Sequence, residues 1–196
     1  NIPLIETWDI NHRPLDVIVG FSNYEAGYRI TDYAIKKKYK KFVFVTSSDK
    51  FMQREVRGAK RLEGFIDRMT KENLKYENFQ ISDPLDYIRS GEEIFSYYKK
   101  NKSKIDCIIT FNEMTGLGIL STALRNNIKV PKQLGVAGIG NASVTDLLEN
   151  KLTTVNTNQY LMGKLAASKL IDRINGVSLE QRIIDVGTSI VKGFSL

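Results

Sequence analysis

The residue pattern predicts an α/β protein: a doubly wound parallel sheet with helices on both faces. Three observations carry that prediction. Short apolar runs alternate with amphipathic helical stretches along most of the 196 residues, the order expected of parallel strands joined by crossover helices. Segment 104–141, KIDCIITFNEMTGLGILSTALRNNIKVPKQLGVAGIGN, contains one such unit complete. Each apolar run also stops at polar or glycine residues. Right-handed crossovers bring the carboxyl ends of parallel strands to one edge, where open sheets bind ligands.

Within that unit, the run 105–111 is short, Ile-rich and bounded by polar residues, so a buried strand is expected. Leu117, Leu120 and Leu124 share one helical face, Pro131 stops the helix, and residues 134–139 give the next strand. Asn112 falls at the junction of strand and helix.

The remaining elements follow in order. Residues 2–5 read as a short strand, followed by a polar connection over 9–14 that holds the only histidine, His12, with no metal-ligand spacing around it. Residues 15–19 form a second apolar run. Asn23 then opens a helix whose buried stripe is Ala26, Ile30, Tyr33 and Ala34. The strand at 42–45 ends in Thr46, Ser47 and Ser48, and a long helix carries Leu62, Phe65, Ile66 and Met69 on one face. A strand at 79–81 ends at Ser82 and Asp83, where Pro84 forces a turn, and Ile94, Phe95 and Tyr98 mark another helix. Beyond the 104–141 unit, residues 152–155 are extended. The next helix bears Met162, Ala166, Leu170 and Ile174 on one stripe and closes at Gly176, and 181–191 returns as extended structure.

Composition narrows the function classes. A content of 42% apolar and 26% charged residues is that of a globular chain, not a disordered one. No apolar run approaches membrane-spanning length, so no membrane partner is expected. Cys107, the single cysteine, sits mid-strand and reads as a small hydrophobe; an intrachain disulfide is impossible, which suits a reducing compartment. The net charge of +7 is concentrated in KKKYKK (36–41) and KKNKSK (99–104), at expected helix C-terminal ends, where cations complement the helix dipole. No nucleic-acid-binding motif accompanies them.

The strand tips Thr46 and Ser47, Ser82 and Asp83, Asn112 and Glu113, and Gly140 and Asn141 are expected to converge on one crevice. The same residues could cap the helices that follow, and the two roles are compatible. Hydroxyls, amides and carboxylates together suit a ligand with many hydroxyl groups. There is no nucleophile elbow, phosphate-binding glycine loop or metal-ligand spacing, and Gly138-Ile139-Gly140 lacks the third glycine of a dinucleotide fingerprint. No catalytic residue, cofactor or metal is therefore expected.

The segments FSNYEAGYRITDYAIKKKYKKFVFV, RLEGF, FNEMTGLGILSTALRNNIKVPKQLGVAGIGN, LTTVNTNQYLMGKLAASKL and INGVSL span nearly the whole chain. In order and spacing they resemble the lactose-repressor/galactose-repressor family of bacterial transcription regulators, whose effector domains are similar to periplasmic sugar-binding proteins. The opening IPLIETWDI is most similar to the gluconate-repressor branch. The resemblance implies that Arg61 and Asn112 grip effector hydroxyls or carboxylates, with Glu113 in place of a more usual Asp. It implies that Trp8, Asp9, Asp86 and Tyr87 face the same cleft. Gly140 and Asn141 stand where most relatives carry an Asp pair, a departure that favours a sugar acid held by Arg61 over a neutral sugar. Beside that role, Arg61 could form a helix-surface ion pair with Glu63 or Asp67.

The same resemblance implies a cytoplasmic, homodimeric repressor. It would bind a small sugar or sugar acid between two subdomains and control operator DNA allosterically through a DNA-binding domain not present in these residues. Residues 1–16 and 152–180 are expected in the N-terminal effector subdomain, and 17–149 with 181–196 in the C-terminal one. The chain is thus expected to be a fragment whose N-terminal pieces expose apolar surface and which binds effector weakly or not at all by itself. A secreted periplasmic-type sugar-binding protein of the same fold is the alternative.

Overall fold

The computed structural model describes residues 2–10, 13–47, 56–83, 85–140, 151–178 and 180–196. The expected alternation is present. Four strands, β3 (Phe42–Ser47), β4 (Tyr76–Ile81), β5 (Cys107–Thr110) and β6 (Gly135–Ala137), form an all-parallel sheet in the order β4-β3-β5-β6. FVFVTS in β3 and CIIT in β5 are buried throughout because they are central and covered on both faces, which is why they read as continuous apolar runs. β4 lies at the edge, and there exposed and half-buried residues alternate.

Four helices clothe this sheet: α1 (Asn23–Lys36), α2 (Val56–Lys71), α3 (Tyr87–Lys100) and α4 (Glu113–Arg125). The chain runs from β3 to β4 in one direction and then back across β3 to β5 and β6, so right-handed crossovers place α2 and the α3–α4 pair on opposite faces. α1 packs on α2, and α3 on α4. Ser22 caps α1 by accepting from the Glu25 amide at 3.1 Å, and Asn112 caps α4 by accepting from the Thr115 amide at 2.8 Å. The core joins Phe44 and Phe65, with ring centroids 4.9 Å apart, to Ile108, Ile109, Ile119 and Val136.

A second, three-stranded parallel sheet has the order β1 (Ile5–Thr7), β2 (Val17–Gly20), β8 (Ile183–Asp185). Its pairing redraws the expected boundaries. β2, expected with the 17–149 unit, pairs instead with β1 and β8, and β8 was expected in that unit too. The physical reason is that VIVG is buried along its whole length and needs a strand on either side. The strand at 2–5 also lies later than expected, at Ile5–Thr7. β7 (Thr154–Asn156) and β9 (Ser189–Val191) form an antiparallel pair beside β6, where Ser195 Oγ donates to the Val136 carbonyl at 2.6 Å and accepts from the Thr153 amide at 2.8 Å.

Helix α5 (Gln159–Ile174) packs on β1 and β2. Its expected stripe is only partly covered: Met162 is buried, whereas Leu170 is half-buried at best and Ile174 is 65% exposed. Three strands offer too little surface for the apolar residues of a 16-residue helix. Tyr160 and Ile171 on this helix, and Ile2 and Leu15 in the segments leading into β1 and β2, are exposed, so the expected apolar surface is there.

Cys107 is fully enclosed, and burial pushes its thiol well above its ordinary range. A thiol reagent added to the native protein at pH 8 is expected to leave Cys107 unmodified and to label it fully in denaturant. Rapid labelling of the folded chain would contradict the packing described here.

Candidate functional site

Because β3 to β6 are parallel, their carboxyl ends share one edge, and the strand order reverses between β3 and β5. Beside that edge lies a cavity of about 250 Å³. The four-stranded sheet and its helices contribute Arg57, Arg61, Tyr87, Phe111, Asn112, Glu113 and Gly140 to its wall, and the opposite wall is made by Trp8, Thr157 and Gln159. Of the residues expected at the site, the structure therefore brings together Trp8, Arg61, Tyr87, Asn112, Glu113 and Gly140.

Two expected residues, Asp9 and Asp86, are not in that wall. Asp9 turns its carboxylate to Asn23 Nδ2 at 3.0 Å and Lys60 Nζ at 3.1 Å. Asp86 is exposed and spent as the N-cap of α3, accepting from the Arg89 amide at 2.9 Å. Asn141 lies outside the described residues, as do His12, Ser48 and Pro84. Nor do all the strand tips converge. Ser82 is held by Glu93, and Asp83 caps the turn at Leu85, because β4 is the sheet edge farthest from β6. Thr46 bonds Asn78 on β4.

Arg61 resolves differently from a helix-surface ion pair. Its Nε donates to Asn23 Oδ1 at 2.9 Å and its Nη1 to the Phe111 carbonyl at 2.6 Å. Asp67 is engaged by the Tyr24 hydroxyl at 2.8 Å, a bond that, with some burial, pushes that phenol up to about 12. Asn23 is completely buried and has every polar side-chain group in use: Oδ1 takes Arg61, and Nδ2 donates to the Trp8 carbonyl at 2.9 Å and to Asp9. One side chain thus ties the loop after β1 to the tip of β5 through Arg61. The sequence marked Asn23 only as a helix start.

Trp8 has φ of +76°, a left-handed backbone that a bulky residue rarely adopts and that costs on the order of 1–3 kcal/mol. The Asn23 bond to its carbonyl, the edge contact of its ring with Phe21 at 6.4 Å and the Arg57 guanidinium over its face at 6.0 Å hold it there. Arg57 precedes Arg61 by one helical turn, a spacing that could have flagged it. Thr157 escaped sequence reasoning altogether: its hydroxyl is buried in the wall and has no hydrogen-bond partner among the described residues. Asn112 Oδ1 is occupied by its capping bond, so capping and cleft lining coexist in one residue.

Two parallel α/β sheets with a polar, arginine-bearing cavity between them define a two-lobed small-molecule-binding architecture. Residues 31–196 match the periplasmic binding protein-like domain family, and the chain belongs to it. It is similar to the NTD biosynthesis operon regulator NtdR of Bacillus subtilis, 26% identical over 96% of this chain and 56% of the relative. It is likewise similar to the HTH-type transcriptional regulator GntR of Escherichia coli, 24% identical over 100% of this chain and 57% of the relative. Among solved structures, a LacI-family regulator from Silicibacter pomeroyi superposes with a TM-score of 0.86 at 24% identity, over 97% of this chain and 57% of that one. The transcription regulator GntR of Chromobacterium violaceum superposes with a TM-score of 0.85 at 23% identity, over 98% of this chain and 69% of that one. The chain spans little more than half the length of these curated relatives. The expected likeness to lactose/galactose-repressor regulators holds, and the relatives are regulators, not enzymes. No helix among the described residues is long and apolar enough to cross a membrane.

Proposed function

We propose that this chain is the effector-sensing part of a transcriptional regulator and binds a small sugar acid in the cleft between its two sheets. The observation that carries the reading is one cavity lined by Arg57, Arg61, Asn112 and Glu113 and, across from them, by the Thr157 hydroxyl, which has no hydrogen-bond partner among the described residues. Guanidinium groups suit a carboxylate, and the amide, carboxylate and hydroxyl suit a polyol chain. Gly140 leaves room there: a side chain at 140 would run into the Glu113 carboxylate. Effector binding would favour one setting of the two sheets and so control operator DNA through another part of a dimeric, cytoplasmic regulator, provided the effector has different affinities for the two settings. A secreted sugar-binding protein would share this fold, but the curated relatives are transcriptional regulators, which favours the first reading.

Trp8 is the only tryptophan and lies in the wall, so its emission reports on the cleft. D-Gluconate is expected to change it saturably with weak, millimolar affinity. Arg61→Ala should abolish the response, and D-glucose should be at least about tenfold weaker for want of the carboxylate. A gluconate response unchanged in Arg61→Ala, or no saturable response to either compound, would overturn the sugar-acid reading.

A further inference from the structure

We propose that a groove at the amino-terminal edge of the four-stranded sheet is a second binding site, for a small ligand carrying two or more phosphate groups. The groove, about 360 Å³ in volume, is lined by Lys40, Lys41, Lys75 and Lys104, with Phe42, Tyr76 and Ser103 between them and one carboxylate, Glu77. It lies at the opposite end of the strands from the cleft, where Phe42 pairs with Tyr76 on one side and Cys107 on the other. The proposal stands independently of the effector reading.

The fold brings together lysines that are far apart in sequence. Lys41 Nζ donates to the Ser103 carbonyl at 2.6 Å, which joins the two lysine-rich runs at one place. Complementing helix dipoles does not account for these four. The last-turn cations of α1 and α3 are Lys36 and Lys99 with Lys100, and the dipole effect fades beyond that turn. Lys40 and Lys41 lie past the end of α1, Lys104 past α3, and Lys75 between α2 and β4.

The nearby acids are committed elsewhere. The Asp106 carboxylate accepts from the backbone amides of Lys40 at 3.1 Å and Lys41 at 2.8 Å, so it organises the strand entry instead of pairing an ammonium group. Glu77, in the groove itself, accepts from the Tyr97 hydroxyl and pairs with none of the four lysines, so it lowers the net charge of the lining by one without closing the site. Among the described residues, none of the four ammonium groups has a carboxylate partner. Four like charges around one concavity repel each other and raise the local concentration of anions.

Magnitudes choose the ligand class. A phosphate group carries about −1.5 to −2 charges near neutral pH, so two of them together meet the net charge of four lysines and Glu77, whereas one carboxylate would leave most of it unmet. The volume falls within the range of small-molecule sites, about 300–1,000 Å³. The ring of Tyr76, 37% exposed, adds an apolar face for the rest of the molecule.

Inorganic pyrophosphate, the simplest probe with two phosphates, is expected to give a single saturable isotherm by calorimetry that weakens steeply between about 50 and 200 mM salt. The double variant Lys41→Gln/Lys104→Gln should lose at least about tenfold in affinity with an unchanged unfolding midpoint. Lys75→Gln/Lys104→Gln should do the same, which guards against a folding defect at Lys41. Lys164→Gln/Lys192→Gln, an equal charge change at exposed residues outside the groove, should bind as the parent does. No binding, equal weakening in the control pair, or tighter capture of duplex DNA through the same lysines would each overturn the proposal.

Discussion

Gly27→Ala is expected to cost about 3 kcal/mol or more, among the largest single-methyl effects in this chain. A Cβ at Gly27 would overlap the Arg61 carbonyl, and one at Gly64 would overlap the Tyr24 carbonyl, so α1 and α2 touch backbone to backbone at two points. Overpacking usually costs less because side chains can move aside; here the obstacle is main chain, and the two helices must part. Gly27→Ala should therefore lower the unfolding midpoint by roughly 6–12 °C, and Gly64→Ala should do likewise. Because α2 carries Arg57 and Arg61, the surviving folded protein should also lose its ligand-dependent Trp8 signal. A variant within a degree or two of the parent midpoint would mean that the helices are farther apart than described.

The second large effect is expected at Asn23. Asn23→Ala removes the acceptor of Arg61 Nε and the donor to the Trp8 carbonyl and Asp9, all at a fully buried position. Leaving such groups unsatisfied costs about 2–4 kcal/mol in total. Without its tether, the Trp8 backbone should relax from its left-handed conformation, and its emission should shift toward that of exposed tryptophan. Asn23→Asp tests the donor role separately. It keeps an acceptor for Arg61 but sets a second carboxylate against Asp9, so at neutral pH it should also destabilise, and less so as the pH falls toward about 4, where carboxylates protonate. An Asn23→Ala protein with parental stability and emission would show that Asn23 does not hold the two sheets in register.

Some of this was legible in residues alone. The Ile-rich run into Asn112, the polar residues closing it and the leucine face of the next helix marked a buried strand and its crossover, because burial on both faces leaves no polar alternation in β5. Asn112 and Glu113 were marked as a strand tip, Arg61 came from the family resemblance, and the three line one cavity with Trp8. Asp9 and Asp86 lie outside its wall, which residues alone could not show for a common reason: a loop carboxylate looks the same in sequence whether it meets a ligand, a helix cap or a neighbouring lysine. The bonding of Asn23, the place of Thr157 in the wall and the gathering of lysines at Lys104 could not be read from sequence, since each depends on segments distant in the chain being brought side by side.

By itself, the order of apolar runs and helical stripes determined the class of fold and the shared edge of its parallel strands, because periodicity and crossover handedness are local rules. Only the tertiary structure decided which strand tips meet. β2 and β8 joined β1 instead of the larger sheet, and β4 was carried to the far edge, because pairing partners are chosen by burial on both faces of a strand, a property of the whole assembled chain.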